Sequence, residues 1–84
     1  MLNIGPKSRA WLAAVGVHSM AELRERGAVS VYHLLKSSGF NVSKNLLWAL
    51  LGAEWGFHWT QVPTEIKMTA LADLVRLESL GASE

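Results

Sequence analysis

The residues best suited to chemistry open the chain: Leu2-Asn3-Ile4-Gly5-Pro6-Lys7-Ser8-Arg9. Pro6 fits the first position of a helix, where its fixed φ is already helical and its missing N–H leaves nothing unsatisfied. The free backbone N–H groups of such a first turn attract anions, phosphate above all. Lys7 and Arg9 would add positive charge beside them, and Ser8 one more donor. Asn3 and Gly5 would hold the turn, because Asn tolerates the left-handed backbone that Gly adopts freely. Arg24, Arg26 and Lys44 would extend the patch. The plainer reading of the same residues is a simple helix start with solvated cations. The net charge of +1 favours that reading, since bulk electrostatics do not announce nucleic-acid binding. Glu22 also stands four residues before Arg26, the spacing of an ordinary surface ion pair.

No other group of residues has the spacing of a catalytic or metal site. His18, His33 and His58 are scattered, without ligand spacing, and read as structural. Glu54, Glu65, Asp73 and Glu78 form no pair that spacing would justify as general acid and base, and Asp73 with Arg76 looks like a surface pair. There is no Cys, so neither a disulfide nor a thiolate metal site exists. No catalytic residue, cofactor or metal is therefore expected. Trp48 and Trp55 stand seven apart on one apolar stretch and share a face of it. That face is either a protein-interaction surface or is covered by another helix.

These side chains need elements to hold them, and the periodicity is helical throughout. A first helix is predicted from about Pro6 to Val15, with Ala10, Trp11, Ala14 and Val15 inward. Gly16 stops it with a left-handed turn, and Val17 folds back. Ser19 caps a second helix in a capping box with Glu22, with Met20, Ala21 and Leu23 on its apolar side. A third is predicted over Ala28 to Ser37, with Val31, Leu34 and Leu35 inward and Tyr32 beside them. Ser43 caps a fourth, running to about Trp55 and apolar on nearly all sides, which predicts that it is central. Thr60 would cap a single turn before Pro63. A fifth helix is predicted from Pro63 or Thr64 to about Ser79, with Ile66, Ala70, Leu74 and Leu77 inward.

Eighty-four residues make one domain, read as residues 1–80 with a frayed tail at 81–84. Half the residues are apolar and four are Trp, enough for a compact core in so short a chain. No apolar run reaches the length of a membrane span, and Lys7 and Arg9 follow rather than precede apolar residues, unlike a signal peptide. The expectation is a cytoplasmic protein with no membrane contact.

Several separated segments also resemble one family in register. Leu2-Asn3-Ile4-Gly5-Pro6-Lys7-Ser8, Leu12-Ala13-Ala14-Val15-Gly16-Val17 and Glu22-Leu23 resemble the C-terminal domain of the TfoX/Sxy family of bacterial competence regulators. Gly27-Ala28-Val29, Asn45-Leu46-Leu47-Trp48-Ala49-Leu50, Gly56, His58-Trp59 and Pro63 continue the resemblance, which covers about residues 2–80. It implies a compact all-α five-helix domain of helix-hairpin-helix (SAM-like) type, linked to control of DNA transformation. Such a hairpin generally carries Gly-hydrophobic-Gly, where this chain has Asn3-Ile4-Gly5. Members usually carry an N-terminal domain for which this chain has no room, so a separate chain supplying one is a candidate partner. Two modes of action follow. Near-neutral charge favours a non-enzymatic regulatory module working by protein contact, with Trp48 and Trp55 as interface residues and a homodimer formed near them. The hairpin favours sequence-independent binding to the backbone of duplex DNA through Asn3, Gly5, Lys7, Ser8, Arg9 and Lys44.

Overall fold

The first helix, α1 (Pro6–Ala14), begins where Pro6 directs it and ends because of Gly16. Gly16 has φ +84°, a conformation that costs an L side chain dearly. In it, the Gly16 N–H donates to the Ala13 carbonyl at 3.0 Å and the Val17 N–H to the Leu12 carbonyl at 2.8 Å. That pair of bonds satisfies the last turn and folds Val17 back against Leu12, with both side chains buried. Arg26 completes the corner: its guanidinium donates to the Val15 carbonyl at 3.1 Å, and this takes the place of the expected pair with Glu22.

The computed structural model describes residues 4–82, so the expectations for Leu2 and Asn3 lie outside the described residues. After α1 come α2 (Met20–Arg26), α3 (Ala28–Ser37), α4 (Lys44–Trp55), a 3-10 turn (Trp59–Gln61) and α5 (Thr64–Ala82). Among the described residues there is no strand, and the five-helix all-α expectation holds. The radius of gyration, 12.0 Å, matches the roughly 12 Å expected of a single compact domain of this length.

α4 is the central element. Leu47, Ala49, Leu50, Leu51, Gly52 and Ala53 are all buried on it, and it packs against α2, α3, α5 and the 3-10 turn. Around it the core collects Ile4, Leu12, Val17, Leu23, Val31, Leu35, Val62, Ala70 and Leu74. Burial of this many aliphatic side chains, each stabilising by about 1.5–3 kcal/mol, offsets the entropy of ordering a short chain.

Several inward assignments shift. On α1 it is Leu12 that is fully buried, while Ala10 and Ala14 are exposed and Trp11 and Val15 are half-buried. On α2, Ala21 is exposed and Leu23 carries the burial. On α3 the buried row is Ala28, Val31, Tyr32 and Leu35, and Leu34 faces outward. These four are spaced i, i+3, i+4, i+7, the geometry of one helix face, and Leu34 falls off it. Ser19 caps α2 as expected, its hydroxyl accepting from the Glu22 N–H at 3.2 Å. Ser43 occupies the N-cap of α4 in extended conformation, but its side chain makes no capping bond. His58, not Thr60, caps the 3-10 turn, with Nδ1 accepting from the Thr60 N–H at 3.3 Å. α5 runs to Ala82 rather than to about Ser79.

Candidate functional site

The start of α1 has the form that the sequence predicts. Gly5 is its N-cap, extended and without a side-chain cap, and Pro6 follows as the first helical residue. The Gly5 carbonyl accepts from the Arg9 N–H at 2.9 Å, closing the first turn. Gly5, Lys7 and Arg9 are exposed and Ser8 is half-buried. A helix turns about 100° per residue, so these side chains diverge. Lys7 folds over the Trp11 ring, its ammonium 5.3 Å from the centroid. Trp11 in turn packs against Phe40 at 5.4 Å. Arg9 faces a separate hollow with Ala13, Val17 and His18.

Ser8 instead meets the start of α4. Together with Asn41, Ser43 and Asn45 it walls a shallow cleft of about 350 Å³, with Trp11 and Trp59 at its sides. Two helix N-termini without side-chain caps therefore flank polar side chains here, those of α1 and α4. Each is followed by a lysine. Lys44 lies over the Tyr32 ring, 5.9 Å from the centroid, and remains exposed. The structure thus gathers Ser8 with the α4 start and sends Arg9 elsewhere.

The two tryptophans of α4 part company as well. Trp48 is half-buried against the core, and Lys67 of α5 lies over its ring at 5.1 Å. Trp55, two turns further on, is 58% exposed. It stands at the edge of a cleft of about 360 Å³ floored by Val29, Leu51, Ile66 and Ala70. Three carboxylates, Glu54, Glu65 and Asp73, rim this cleft.

One of them also does structural work that spacing alone does not suggest. Gly27 is the N-cap of α3 and has no side chain with which to cap it. Glu54 reaches across from α4, and its Oε1 accepts from the Ala28 N–H. The carboxylate therefore sits at the positive end of α3 and satisfies a donor on a buried residue. A glycine N-cap followed by a helix with no acidic residue in its first turn was the available hint that a distant side chain supplies the cap.

The three histidines lie on different segments. His58 caps the 3-10 turn, His18 is exposed, and His33 is half-buried on α3 with its Nδ1 turned inward. Among the described residues no three acidic or histidine side chains are placed to hold a metal ion. Asp73 and Arg76 do pair, at 3.6 Å, and Lys36 pairs with Glu78 at 3.3 Å. No helix among the described residues is long and apolar enough to cross a membrane.

Comparison with known proteins gives one finding. A family model described as the TfoX C-terminal domain matches residues 1–74. No curated protein and no solved structure matches.

Proposed function

We propose that this chain, which belongs to the TfoX C-terminal domain family, is a non-enzymatic, cytoplasmic regulatory module of competence control that acts by docking on another protein. Trp55 carries this reading. A large aromatic ring that is more than half exposed, beside an apolar-floored cleft, has the composition of an interface anchor. The carboxylates at the rim select for a partner segment that places Lys or Arg beside apolar side chains. Trp48, half-buried against the core with Lys67 over its ring, offers less contact area than Trp55.

The natural probe is a purified N-terminal domain of a TfoX-type protein, titrated calorimetrically with this domain. Trp55→Ala is expected to weaken binding by about 30-fold or more, the effect of losing an anchor worth about 2 kcal/mol. The far-ultraviolet dichroism should not change. If no heat is detected with the unsubstituted domain, or the variant binds as tightly, Trp55 is not the anchor.

A second reading rests on the uncapped N-termini of α1 and α4. Both present backbone N–H groups next to Lys7 and Lys44, a fitting arrangement for the phosphates of duplex DNA. No side-chain array is placed to read bases, so such binding would be indifferent to sequence. Lys7→Ala with Lys44→Ala should weaken binding to unrelated duplexes alike and reduce the salt slope by about two. Equal binding by the double variant, or none by the parent at low salt, would leave protein docking as the sole reading.

A further inference from the structure

α5 is apolar on two faces, and only one is used within the chain. Ala70 and Leu74 are buried, and Ile66 packs against the core beside them. On the opposite side Met68 is 61% exposed and Val75 62%, with Ala72 exposed between them and Leu71 half-buried at the edge. At about 100° per residue, Met68, Leu71, Ala72 and Val75 span roughly 100° of arc, the width of an apolar stripe that packs against another helix. The stripe itself carries no charge. Its two edges do, in opposite order along the chain: Glu65 then Arg76 on one edge, Lys67 then Glu78 on the other.

That order makes the face complementary to itself. We infer that the stripe seats the α5 of a second copy of this chain, running antiparallel. With the two-fold axis between Leu71 and Ala72, Met68 lies opposite the partner's Val75. Two-fold symmetry in an antiparallel pair brings each edge against the same edge of the partner. Residue 65 and residue 76 of the partner then differ by only about 3 Å in level along the axis, given 1.5 Å per residue. Glu65 therefore faces the partner's Arg76 twice over, and Lys67 and Glu78 repeat the match on the other edge once they exchange the Trp48 ring and Lys36, their neighbours within the chain. A parallel pair would instead bring unlike edges together, Glu65 near the partner's Lys67 and Arg76 near the partner's Glu78, but would also set the two helix dipoles side by side in the same sense. Arg76 can make the exchange, because its existing pair with Asp73 spans 3.6 Å with the guanidinium side chain 73% exposed. The apolar stripe is distinct from the apolar floor of the Trp55 cleft, and Glu65 stands at the edge of both.

A helix of 19 residues is about 28 Å long. Two of them side by side fall short of the roughly 800 Å² per partner of a standard interface, the size class of weak and transient contacts. Sedimentation equilibrium of the domain up to about 1 mM is the appropriate measurement. A concentration-dependent dimer is expected. Val75→Glu and Arg76→Glu should each weaken it by about tenfold or more, by setting charge against apolar surface or against like charge. Glu65→Arg combined with Arg76→Glu should restore it, since the swap preserves the opposite pairing of residues 65 and 76 between the two copies. In a chain without Cys, Ala72→Cys near the axis should cross-link on oxidation. Met68→Cys should not, because an antiparallel pair holds its two copies about 10 Å apart along the axis. A monomer throughout, a dimer indifferent to Val75→Glu, or a charge swap that fails to rescue would each overturn the inference. Trp55→Ala should leave the dimer unchanged, which separates this contact from the docking surface proposed above.

Discussion

Removing the Glu54 carboxylate should destabilise a helix that lies 26 residues away from it in sequence. Glu54 Oε1 is the acceptor for the Ala28 N–H, and Ala28 is 1% exposed, so water cannot easily replace the lost partner. An N-cap deletion typically costs about 1 kcal/mol, and leaving a buried donor unsatisfied costs about 1–3 kcal/mol. These describe the same loss and do not add. Glu54 itself is half-buried, which keeps the charge contribution modest, about 0.3–1 kcal/mol at a helix N-terminus. Glu54→Ala is therefore expected to cost about 2 kcal/mol, and Glu54→Gln, which keeps an acceptor but not the charge, about 1 kcal/mol. For a domain of this size, 2 kcal/mol corresponds to a fall in Tm of roughly 8–16 °C. Urea denaturation followed by tryptophan fluorescence and by far-ultraviolet dichroism gives the measurement, with m expected to stay constant. A loss under about 0.5 kcal/mol for Glu54→Ala would show that the α3 start is stabilised without Glu54. Equal losses for Ala and Gln would show that the charge, not the hydrogen bond, is what matters.

The other expected outcomes concern the corners and the core. Leu50→Ala removes a fully buried side chain from the central helix and should cost about 2–5 kcal/mol, read as a lower urea midpoint. Ser19→Ala leaves the Glu22 N–H without its partner and should cost about 1 kcal/mol in the same assay. Gly16→Ala meets a left-handed backbone at φ +84°, while its added methyl, 3.4 Å from the Arg26 guanidinium, makes only an ordinary contact. It should destabilise by about 1–2 kcal/mol, and thermal unfolding at or above the parent's Tm would contradict the account of this corner.

What the sequence made legible follows from where its signals are local. The limits of α3, Ala28–Ser37, were readable because Gly27 and the Ser37-Ser38-Gly39 run bracket it. The corner at Gly16 was readable because glycine followed by an apolar residue after a helical run has few other uses. The α1 stripe was misassigned because alanine tolerates both burial and exposure, so Ala10 and Ala14 said little about direction. Leu34 fits an inward i, i+3, i+4 set with Val31 and Leu35, but the face that Ala28 shares with Val31 and Leu35 admits Tyr32 instead, whose ring then lies beneath Lys44. Trp48 and Trp55 were legible as neighbours on one face. That α5 covers the first and leaves the second exposed depends on packing between distant segments, which no short-range pattern encodes. Glu54 belongs to the same class: its partner is near in space and far in sequence.

Net charge misleads about this surface because it averages over directions. The value of +1 argues against a nucleic-acid binder only if the charges are mixed. In the fold they are partly sorted. α1 carries Lys7 and Arg9 and no acid, while Glu54, Glu65 and Asp73 gather around the cleft beside Trp55. At physiological ionic strength the screening length is about 8 Å, well below the 34 Å long dimension of the domain, so a partner meets the local charge and not the sum. The α1 end can therefore attract phosphate while the Trp55 cleft attracts a basic segment, with neither effect visible in the total. The two readings consequently predict opposite responses to the same substitutions. Neutralising Lys7 and Lys44 should weaken any DNA contact and spare protein docking. Reversing Glu65 and Asp73 to Lys should weaken docking and, if it changes DNA affinity at all, raise it.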